Sequence, residues 1–230
     1  MNTKSKICTD CESEFQAEII EFNGRILDFS TICDPCIEKR NRETSEREAR
    51  EAVIARNSSF WDIFPPIYRD TEENRLDARL YAAVKEYTFG PTGLGFVGYA
   101  GAGKTRAMVS LMYRLHMAQK RVVWLKSVSL TMYAQERFSD DRQVRKNALS
   151  VIDRAKSADA LLIDDIGKGR LTPSAEEVLF DILDYRSENQ RPVFWTSNAN
   201  SQDMTAMMSK DRADAMTRRL VEFCKIVVAK

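Results

Sequence analysis

Residues 98–105 of this chain, GYAGAGKT, match the pattern G-x-x-x-x-G-K-[ST] at Gly98, Gly103, Lys104 and Thr105. A loop of this kind curls its backbone N–H groups around a phosphate, and glycines remove the Cβ atoms that would clash there. We expect Lys104 to reach the β- and γ-phosphates of ATP and the Thr105 hydroxyl to ligate Mg²⁺. An apolar strand before the loop and a helix after it support this ATP site, because a helix N-terminus attracts anions.

Two adjacent carboxylates end another apolar run, ALLIDD, at residues 160–165. Asp164 would end a strand where it can hold the Mg²⁺ shell, and Asp165 could orient or deprotonate the attacking water. Asn198 ends a later strand candidate and would position water beside the γ-phosphate. The alternatives are that the two aspartates only mark a turn and that Asn198 is a capping or turn residue.

Four cysteines near the N-terminus form two pairs, Cys8-x-x-Cys11 and Cys33-x-x-Cys36. Two thiolate pairs at this spacing can close a tetrahedral Zn²⁺ site that has no open ligand position, so the role of the metal would be structural. The segment is too short to bury much apolar surface, and the metal would supply its folding free energy. Free or redox-active cysteines are the alternative, and DNA and protein are both open as the module's partner. Cys224 stands alone in an apolar strand, where we expect a core residue.

The overall composition excludes some classes of protein. With 35 Lys and Arg against 34 Asp and Glu in 230 residues, the net charge identifies no partner. No run of about 18 apolar residues occurs, which predicts no membrane span, and the N-terminus lacks the apolar segment of a secretory signal. We therefore expect a cytoplasmic protein whose five cysteines do not form disulfides.

From Phe60 onward, apolar strands alternate with amphipathic helices, which is typical of an α/β fold with a parallel sheet. The predicted strands are 93–99, 121–127, 160–165, 191–198 and 224–230, and the predicted helices are 104–119, 129–156, 173–189 and 203–222.

The N-terminal part of the chain is expected to be organised differently. Asn23-Gly24, between two apolar runs, predicts a hairpin turn. The mixed charges of residues 38–56 predict an exposed helix or tether. The predicted domains are a zinc-binding module at 1–40, a charged helical linker at 41–57 and an ATPase domain at 58–230.

In this order, the motifs resemble the AAA+ ATPases over roughly residues 60–228, and among them the DnaC/DnaI helicase loaders and the IstB transposition ATPases. The resemblance implies a P-loop NTPase core with a five-stranded parallel sheet. It also implies no C-terminal lid domain, since the chain stops after its last strand. IFPPIYRD resembles the entry box of the family, where Ile67 and Tyr68 would flank the adenine. The loop residues assigned to the nucleotide are Gly98, Gly101, Ala102, Gly103, Lys104, Thr105 and Arg106.

The resemblance also assigns roles to arginines. Arg186 matches a recurrent arginine of the family. Arg219, in DRADAMTRRL, is the best match to the arginine finger that reaches the γ-phosphate of a neighbouring subunit. Arg218 is its rival, and both could instead be surface arginines. The single histidine, His116, lies among apolar helix positions and is expected to pack rather than to ligate or catalyse.

Basic residues could follow the phosphates of single-stranded DNA through the channel of an AAA+ ring or spiral. The helix predicted at 129–156 also carries acidic residues, so a solvated face of mixed charge is the alternative. The basic residues are Arg137, Arg142, Arg145, Lys146, Arg154 and Lys156 on that helix, and Lys168 and Arg170 in the loop that follows Asp165.

These expectations combine into an ATPase that loads a replicative helicase and forms a homo-oligomer on single-stranded DNA in its ATP state. It would use ATP, Mg²⁺ and Zn²⁺, and it would work in a bacterial or phage-infected cell without a membrane partner. An IstB-like transposition ATPase that oligomerises on duplex DNA and recruits a transposase is the alternative. A third hypothesis, a nucleotide-dependent interaction module without hydrolysis, is disfavoured by the presence of Lys104, Asp164 and Asp165.

Overall fold

A computed structural model describes residues 2–22, 25–27, 30–167, 170–198 and 210–230 of the chain. The chain divides into two compact units, Met1–Ala55 and Arg56–Lys230. The predicted domain boundaries, with a separate linker at 41–57, stay predictions.

The first unit contains a small antiparallel sheet with the order β1-β2-β3. Its strands are β1 (Asn2–Ile7), β2 (Glu14–Phe22) and β3 (Arg25–Leu27). Phe22 pairs with Arg25 at the end of the β2–β3 hairpin. The predicted Asn23-Gly24 turn lies outside the described residues.

Helix α1 (Asp34–Ile63) contains the highly charged segment 38–56, whose side chains are exposed almost throughout. Ion pairs one turn apart, such as Lys39 with Glu43, stabilise a helix of this kind even though it buries little apolar surface. The segment predicted as an exposed helix or tether is therefore helical.

The second unit contains a five-stranded parallel sheet with the order β5-β6-β7-β4-β8. The parallel α/β architecture predicted from the sequence is confirmed. Because parallel strands end at the same edge, the residues that follow β4, β6 and β7 meet there. The strands are β4 (Gly93–Val97), β5 (Val122–Lys126), β6 (Ala160–Ile166), β7 (Val193–Ser197) and β8 (Cys224–Val228).

Helices cover the sheet. They are α2 (Ala78–Glu86), α3 (Lys104–Met117), α4 (Ser127–Glu136), α5 (Arg142–Ser157), α6 (Pro173–Glu188) and α7 (Lys210–Glu222). Residues 203–209 of the last predicted helix lie outside the described part of the chain.

Apolar clusters form on both faces of this sheet. Leu161 and Ile163 of β6 belong to one cluster, whereas Ala160 and Leu162 belong to the other. Since successive side chains of a strand point to opposite faces, the two clusters lie on opposite sides of the sheet. Burial on both faces explains why β6 is a continuous apolar run rather than an alternating one.

The prediction of one long helix at 129–156 is wrong, because the segment forms two helices, α4 and α5. The break has a local cause at Asp141, whose carboxylate accepts hydrogen bonds from the backbone N–H groups of Gln143 (2.7 Å) and Val144 (3.1 Å). This is an N-cap, and it starts a new helix at Arg142.

Candidate functional site

The phosphate-binding loop lies between the end of β4 and the first turn of α3, which begins at Lys104. Gly103 has a φ of 80°, and a Cβ there would lie 2.6 Å from the carbonyl oxygen of Arg75. A Cβ at Gly98 would lie 2.8 Å from the Cβ of Ala229. Neighbouring segments of this chain, as well as a phosphate, therefore require glycine at both positions.

The Lys104 side chain is buried against the loop that precedes it. Its ammonium group donates hydrogen bonds to the carbonyl oxygens of Gly98 (2.9 Å) and Tyr99 (2.7 Å). Burial lowers the pKa of Lys104, and the charges of Asp165 and Asp164 act against that shift. The structure thus places a positive charge within the phosphate loop and close to both carboxylates.

Asp164 is the centre of a hydrogen-bonded cluster at the carboxyl edge of the sheet. Its Oδ1 accepts hydrogen bonds from the hydroxyl groups of Thr105 (2.8 Å) and Thr196 (2.6 Å). The Thr196 oxygen accepts in turn from the backbone N–H of Asp165 (2.9 Å). Mg²⁺ prefers oxygen ligands, and the contact between Thr105 and Asp164 brings two of them together beside the loop. These residues therefore fit a Mg²⁺ ion bound with ATP.

Asp165 lies in a β-bulge. Its backbone is left-handed, with a φ of 59°, and the β6–β7 register shifts between Ile163 and Ile166. A bulge interrupts the regular alternation of side chains along a strand. In a regular strand the side chains of Asp164 and Asp165 would point to opposite faces of the sheet. With the bulge, Asp165 lines the nucleotide cleft. The side-chain amide of Asn198 lies 3.4 Å from Asp165 Oδ1, so the two groups predicted to position water are neighbours.

A cleft of about 540 Å³ opens at the phosphate loop. Arg106 connects it to the residues predicted to flank the adenine, because its guanidinium donates to the carbonyl oxygen of Ile67 (2.9 Å) and lies 5.7 Å from the centre of the Tyr68 ring. Burial raises the pKa of Tyr68, and the charge of Asp164 adds to this shift. The residues lining the cleft are Tyr68, Arg75, Ala100, Gly101, Gly103, Lys104, Thr105, Arg106, Asp165 and Asn198.

Some predicted nucleotide contacts do not line the cleft; they include Gly98 and Asp164, which adjoin it through the hydrogen bonds described above. Ala102 lies in the apolar core beside α3, and the Ile67 side chain is mostly exposed.

Two other residues of the site were not identified from the sequence. Thr196 is a hydroxyl residue within an otherwise apolar strand, and this pattern could have predicted a buried polar contact. The sequence around Arg75 has no pattern that would have predicted its position in the cleft.

Arg219 is held by a partner within its own chain. Its Nε donates to Asp184 Oδ1 (2.9 Å), and its guanidinium carbon lies 4.4 Å from the centre of the Phe180 ring. It lines a separate cavity of about 300 Å³, together with Arg186. Arg218 is exposed. Arg219 is therefore not among the described residues that line the nucleotide cleft of its own chain. If it acts on ATP, it must act at the cleft of a neighbouring protomer.

The four N-terminal cysteines converge. The sulfur atoms of Cys8, Cys11, Cys33 and Cys36 all lie within 4.8 Å of one another, and those of Cys11 and Cys33 are 3.7 Å apart. Sulfurs arranged tetrahedrally around zinc at ~2.3 Å are ~3.8 Å apart, so this donor set fits Zn²⁺.

Backbone groups support the thiolate form of Cys8 within this cluster. The N–H groups of Cys33 (3.3 Å) and Asp10 (3.4 Å) donate to its sulfur. Burial opposes ionisation of the thiol, but these hydrogen bonds outweigh it and lower the pKa of Cys8 to about 6. A thiolate is the form that binds a metal.

The basic residues proposed to contact DNA divide into two groups. Arg142, Arg145, Lys146 and Arg154 line one groove along α5. The others lie elsewhere: Arg137 forms an ion pair with Glu177 (3.3 Å), Lys156 forms one with Asp181 (2.6 Å), Arg170 is exposed, and Lys168 lies outside the described residues.

His116 and Cys224 occupy packing positions. The His116 ring lies 5.5 Å from the Phe60 ring, and its Nε2 is 3.1 Å from the Ser59 hydroxyl. Cys224 is buried in β8. In the part of the chain that the structure describes, no helix is both long and apolar enough to span a membrane.

Comparison with known protein families identifies the chain. The family described as IstB-like ATP binding protein matches residues 43–230. This chain belongs to that family. The match contains the phosphate loop, the Asp164 cluster and the cleft, so the family's ATP-binding character has a structural basis in these residues.

Two relatives of this IstB-like protein come from Escherichia coli K12. The uncharacterized protein YdaV is 29% identical over 132 residues, which are 57% of this chain and 52% of YdaV. The replicative helicase loader DnaC is 24% identical over 151 residues, which are 65% of this chain and 60% of DnaC. The matched region thus spans between half and two thirds of either relative.

The fold of this chain is similar to the crystal structure of DnaI, with a TM-score of 0.59 at 20% sequence identity. The similarity covers 73% of this chain and 95% of DnaI. At this identity the likeness shows the fold, which is that of a P-loop NTPase.

Proposed function

We propose that this chain is an ATP-dependent helicase loader, or a closely related DNA replication ATPase, in the cytoplasm of a bacterial or phage-infected cell. One observation carries the proposal. Lys104, Thr105 and Asp165 line a single cleft, and Asp164 accepts a hydrogen bond from Thr105 beside it. ATP hydrolysis requires such a set, and the chain is similar to the replicative helicase loader DnaC.

Hydrolysis would use the residues of this cleft in distinct roles. Asp165 orients or deprotonates the attacking water, and the Asn198 amide beside it fixes the position of that water. Lys104 stabilises the charge that develops on the transferred phosphoryl group. Thr105 and Asp164 would hold Mg²⁺, which when bound neutralises charge on the phosphate oxygens.

In this proposal, protomers assemble in the ATP state and one protomer completes the site of the next. Arg219 is the proposed finger, and its ion pair with Asp184 must open or exchange before the guanidinium can reach a second protomer. The exposed Arg218, one residue earlier on α7, is the rival finger.

Single-stranded DNA is the proposed polymer on which the protomers assemble. One groove of α5 carries more basic than acidic side chains. Its lining includes Arg142, Arg145, Lys146 and Arg154, together with Leu149 and one acidic residue, Asp153. Such a groove can follow a phosphate backbone, and its affinity would fall as salt concentration rises.

The proposed role of the cysteine cluster is to hold Zn²⁺ and so to stabilise the N-terminal unit. Its surface would contact the replicative helicase or DNA. The fit of the four sulfurs to a tetrahedral ion supports the metal, and the similarity to DnaC supports the helicase as partner.

The second candidate is an IstB-like transposition ATPase that oligomerises on duplex DNA and recruits a transposase. The family match over residues 43–230 favours it. Both candidates use the same ATP site, so the partner distinguishes them.

The decisive experiment is a pull-down of the full chain with ATP or ADP present, read by mass spectrometry. We expect ATP-dependent capture of a hexameric replicative helicase, and Lys104→Ala should abolish this capture together with ATP binding, because the loop loses its cation. Capture of a transposase instead would establish the second candidate. Retained ATP affinity in Lys104→Ala would contradict the assignment of the phosphate loop.

A further inference from the structure

Asp77 immediately precedes α2 and has an ordinary role there. Its Oδ1 accepts hydrogen bonds from the backbone N–H groups of Arg79 (2.9 Å) and Leu80 (3.4 Å), and so caps the helix. Asp141 caps α5 in the same way. If capping were the whole role of Asp77, the two aspartates would be equivalent.

Asp77 makes two further contacts that a cap does not need. Its backbone N–H donates to the carbonyl oxygen of Ala102 (3.2 Å), which lies inside the phosphate loop. Its second carboxylate oxygen, Oδ2, accepts from the backbone N–H of Lys230 (3.0 Å), just beyond β8. One residue therefore contacts the loop, the segment after the last strand and the start of α2.

The loop is packed tightly between the two segments that Asp77 connects. The chain just before Asp77 approaches so closely that a Cβ at Gly103 would lie 2.6 Å from the Arg75 carbonyl oxygen. On the other side, Ala229 fills the space in which a Cβ at Gly98 would lie, and its N–H donates to the Val97 carbonyl oxygen (2.8 Å). Movement of either segment would change the shape of the loop.

The carboxylate of Asp77 is engaged by backbone donors of α2 and of the segment after β8. Burial works against ionisation of Asp77, but the N–H groups of Lys230, Arg79 and Leu80 donate to its carboxylate and hold its pKa below the usual value. These bonds direct the carboxylate toward backbone donors. Asp77 is not among the described residues that line the cleft, and its contact with the loop is the backbone hydrogen bond to Ala102.

We propose that Asp77 is a positioning residue for ATP binding, which holds the phosphate loop in shape by tying it to α2 and to the end of β8. The proposal requires only that the chain binds ATP. It does not depend on helicase loading, because the contacts lie within one chain.

Three variants separate these contacts. Asp77→Ala removes the cap and the bond to Lys230. Asp77→Asn keeps the side-chain oxygen that can cap α2, but it puts the side-chain NH2 group opposite the Lys230 N–H. An NH2 group donates and cannot accept this hydrogen bond. Lys230→Pro removes the donor of the same bond from the other side. Asp141→Ala is the matched control, because it removes an equivalent cap on α5.

The test measures binding of a fluorescent ATP analogue, and KM and kcat for ATP, in the absence of DNA and of any partner protein. We expect Asp77→Ala to bind ATP ~10-fold more weakly, and Asp77→Asn and Lys230→Pro ~3-fold more weakly. We expect kcat at saturating ATP to stay within about twofold, because the ground state and the transition state use the same loop. Asp141→Ala should bind ATP as the wild type does while losing thermal stability to a similar degree as Asp77→Ala.

Wild-type ATP affinity in all three variants would overturn the proposal. So would an equal loss of affinity in Asp141→Ala, since Asp77 would then be only a helix cap. If Asp77→Ala does not fold, the two single-bond variants decide the question. None of these outcomes bears on helicase loading, which the pull-down tests separately.

Discussion

At the scale of single residues, the backbone of Asp165 limits which side chains can serve there. Its left-handed φ of 59° is one that Asp and Asn adopt more readily than most residues, because their short polar side chains bond locally. An aspartate at this position therefore suits the backbone conformation as well as the chemistry.

This conformation makes Asp165→Asn the cleanest test of catalysis. The substitution keeps the bulge and the backbone N–H that donates to Thr196, but it removes the carboxylate. We expect ATP binding to be retained and hydrolysis to fall at least ~100-fold, the usual effect of losing a general base. Single-turnover kinetics would measure both. Hydrolysis near the wild-type rate would exclude Asp165 as the group that activates water.

Arg186 is fully buried and donates hydrogen bonds to backbone carbonyl oxygens of the α5–β6 and α6–β7 connections. Burial lowers its pKa to about 9, with the charge of Arg191 adding to the shift, so it is still charged at neutral pH. The forked guanidinium reaches several carbonyls at once, and a lysine cannot reproduce that geometry. Arg186 is therefore a structural residue, whose contacts explain its burial without a catalytic role.

We expect Arg186→Lys to lower the free energy of unfolding by roughly 3 kcal/mol, because buried carbonyl groups lose their donors. Arg191→Lys is the matched control. Arg191 also donates to the carbonyl oxygens of Ser157 and Ala158 but is partly exposed, so the loss should be smaller. Urea denaturation measures both. Equal stability of Arg186→Lys and the wild type would contradict this role.

At the scale of elements, the break between α4 and α5 shows where hydrophobic periodicity is insufficient. The helical pattern continues across the break, while Ser139, Asp140 and Asp141 form a local cap sequence. The cap competes with helix continuation because its carboxylate satisfies backbone N–H groups that have no partner in a first turn. The cap residues can be read from the sequence. Capping, rather than hydrophobic periodicity, determines that α5 begins as a separate helix.

The N-terminal unit is an element whose stability we expect to depend on metal. Metal analysis of the full chain should find about one zinc per chain. Chelation, or Cys33→Ser, should unfold residues 1–40 and leave the ATPase fold and ATP binding intact, because a segment this short buries little apolar surface and a bound metal would supply its folding free energy. Limited proteolysis and circular dichroism would report this. Cys224→Ser, outside the cluster, is the control that should retain zinc, and a folded metal-free N-terminus would contradict the zinc assignment.

At the scale of the whole molecule, the arginines of α7 test whether the site is shared between protomers. We expect Arg219→Ala to leave ATP binding within about twofold and to lower hydrolysis in the assembled state by ~100-fold or more, since the finger acts on the transition state. ATPase measurements at concentrations below and above assembly would show whether the effect requires the oligomer.

Two control variants interpret that result. Asp184→Ala breaks the same ion pair but keeps the guanidinium, so hydrolysis in the assembly should persist. Arg218→Ala tests the rival residue. If Arg219→Ala hydrolyses ATP normally in the assembled state and Arg218→Ala does not, the finger is Arg218.

Features that depend on residues close together in the chain were available from the sequence alone. The phosphate loop, the paired aspartates, the two Cys-x-x-Cys pairs and the alternating strands and helices each combine side-chain chemistry with a short spacing. Local backbone geometry sets the relation between such residues, so their types and intervals suffice to predict them.

Only the tertiary structure decided the contacts between distant segments. Thr196 reaches Asp164 because β7 lies beside β6, and Asp77 meets Lys230, 153 residues later, because β8 lies beside β4. Arg219 has its partner on α6. No spacing along the chain encodes these contacts, because strand order and helix packing bring the segments together only when the whole sheet has formed.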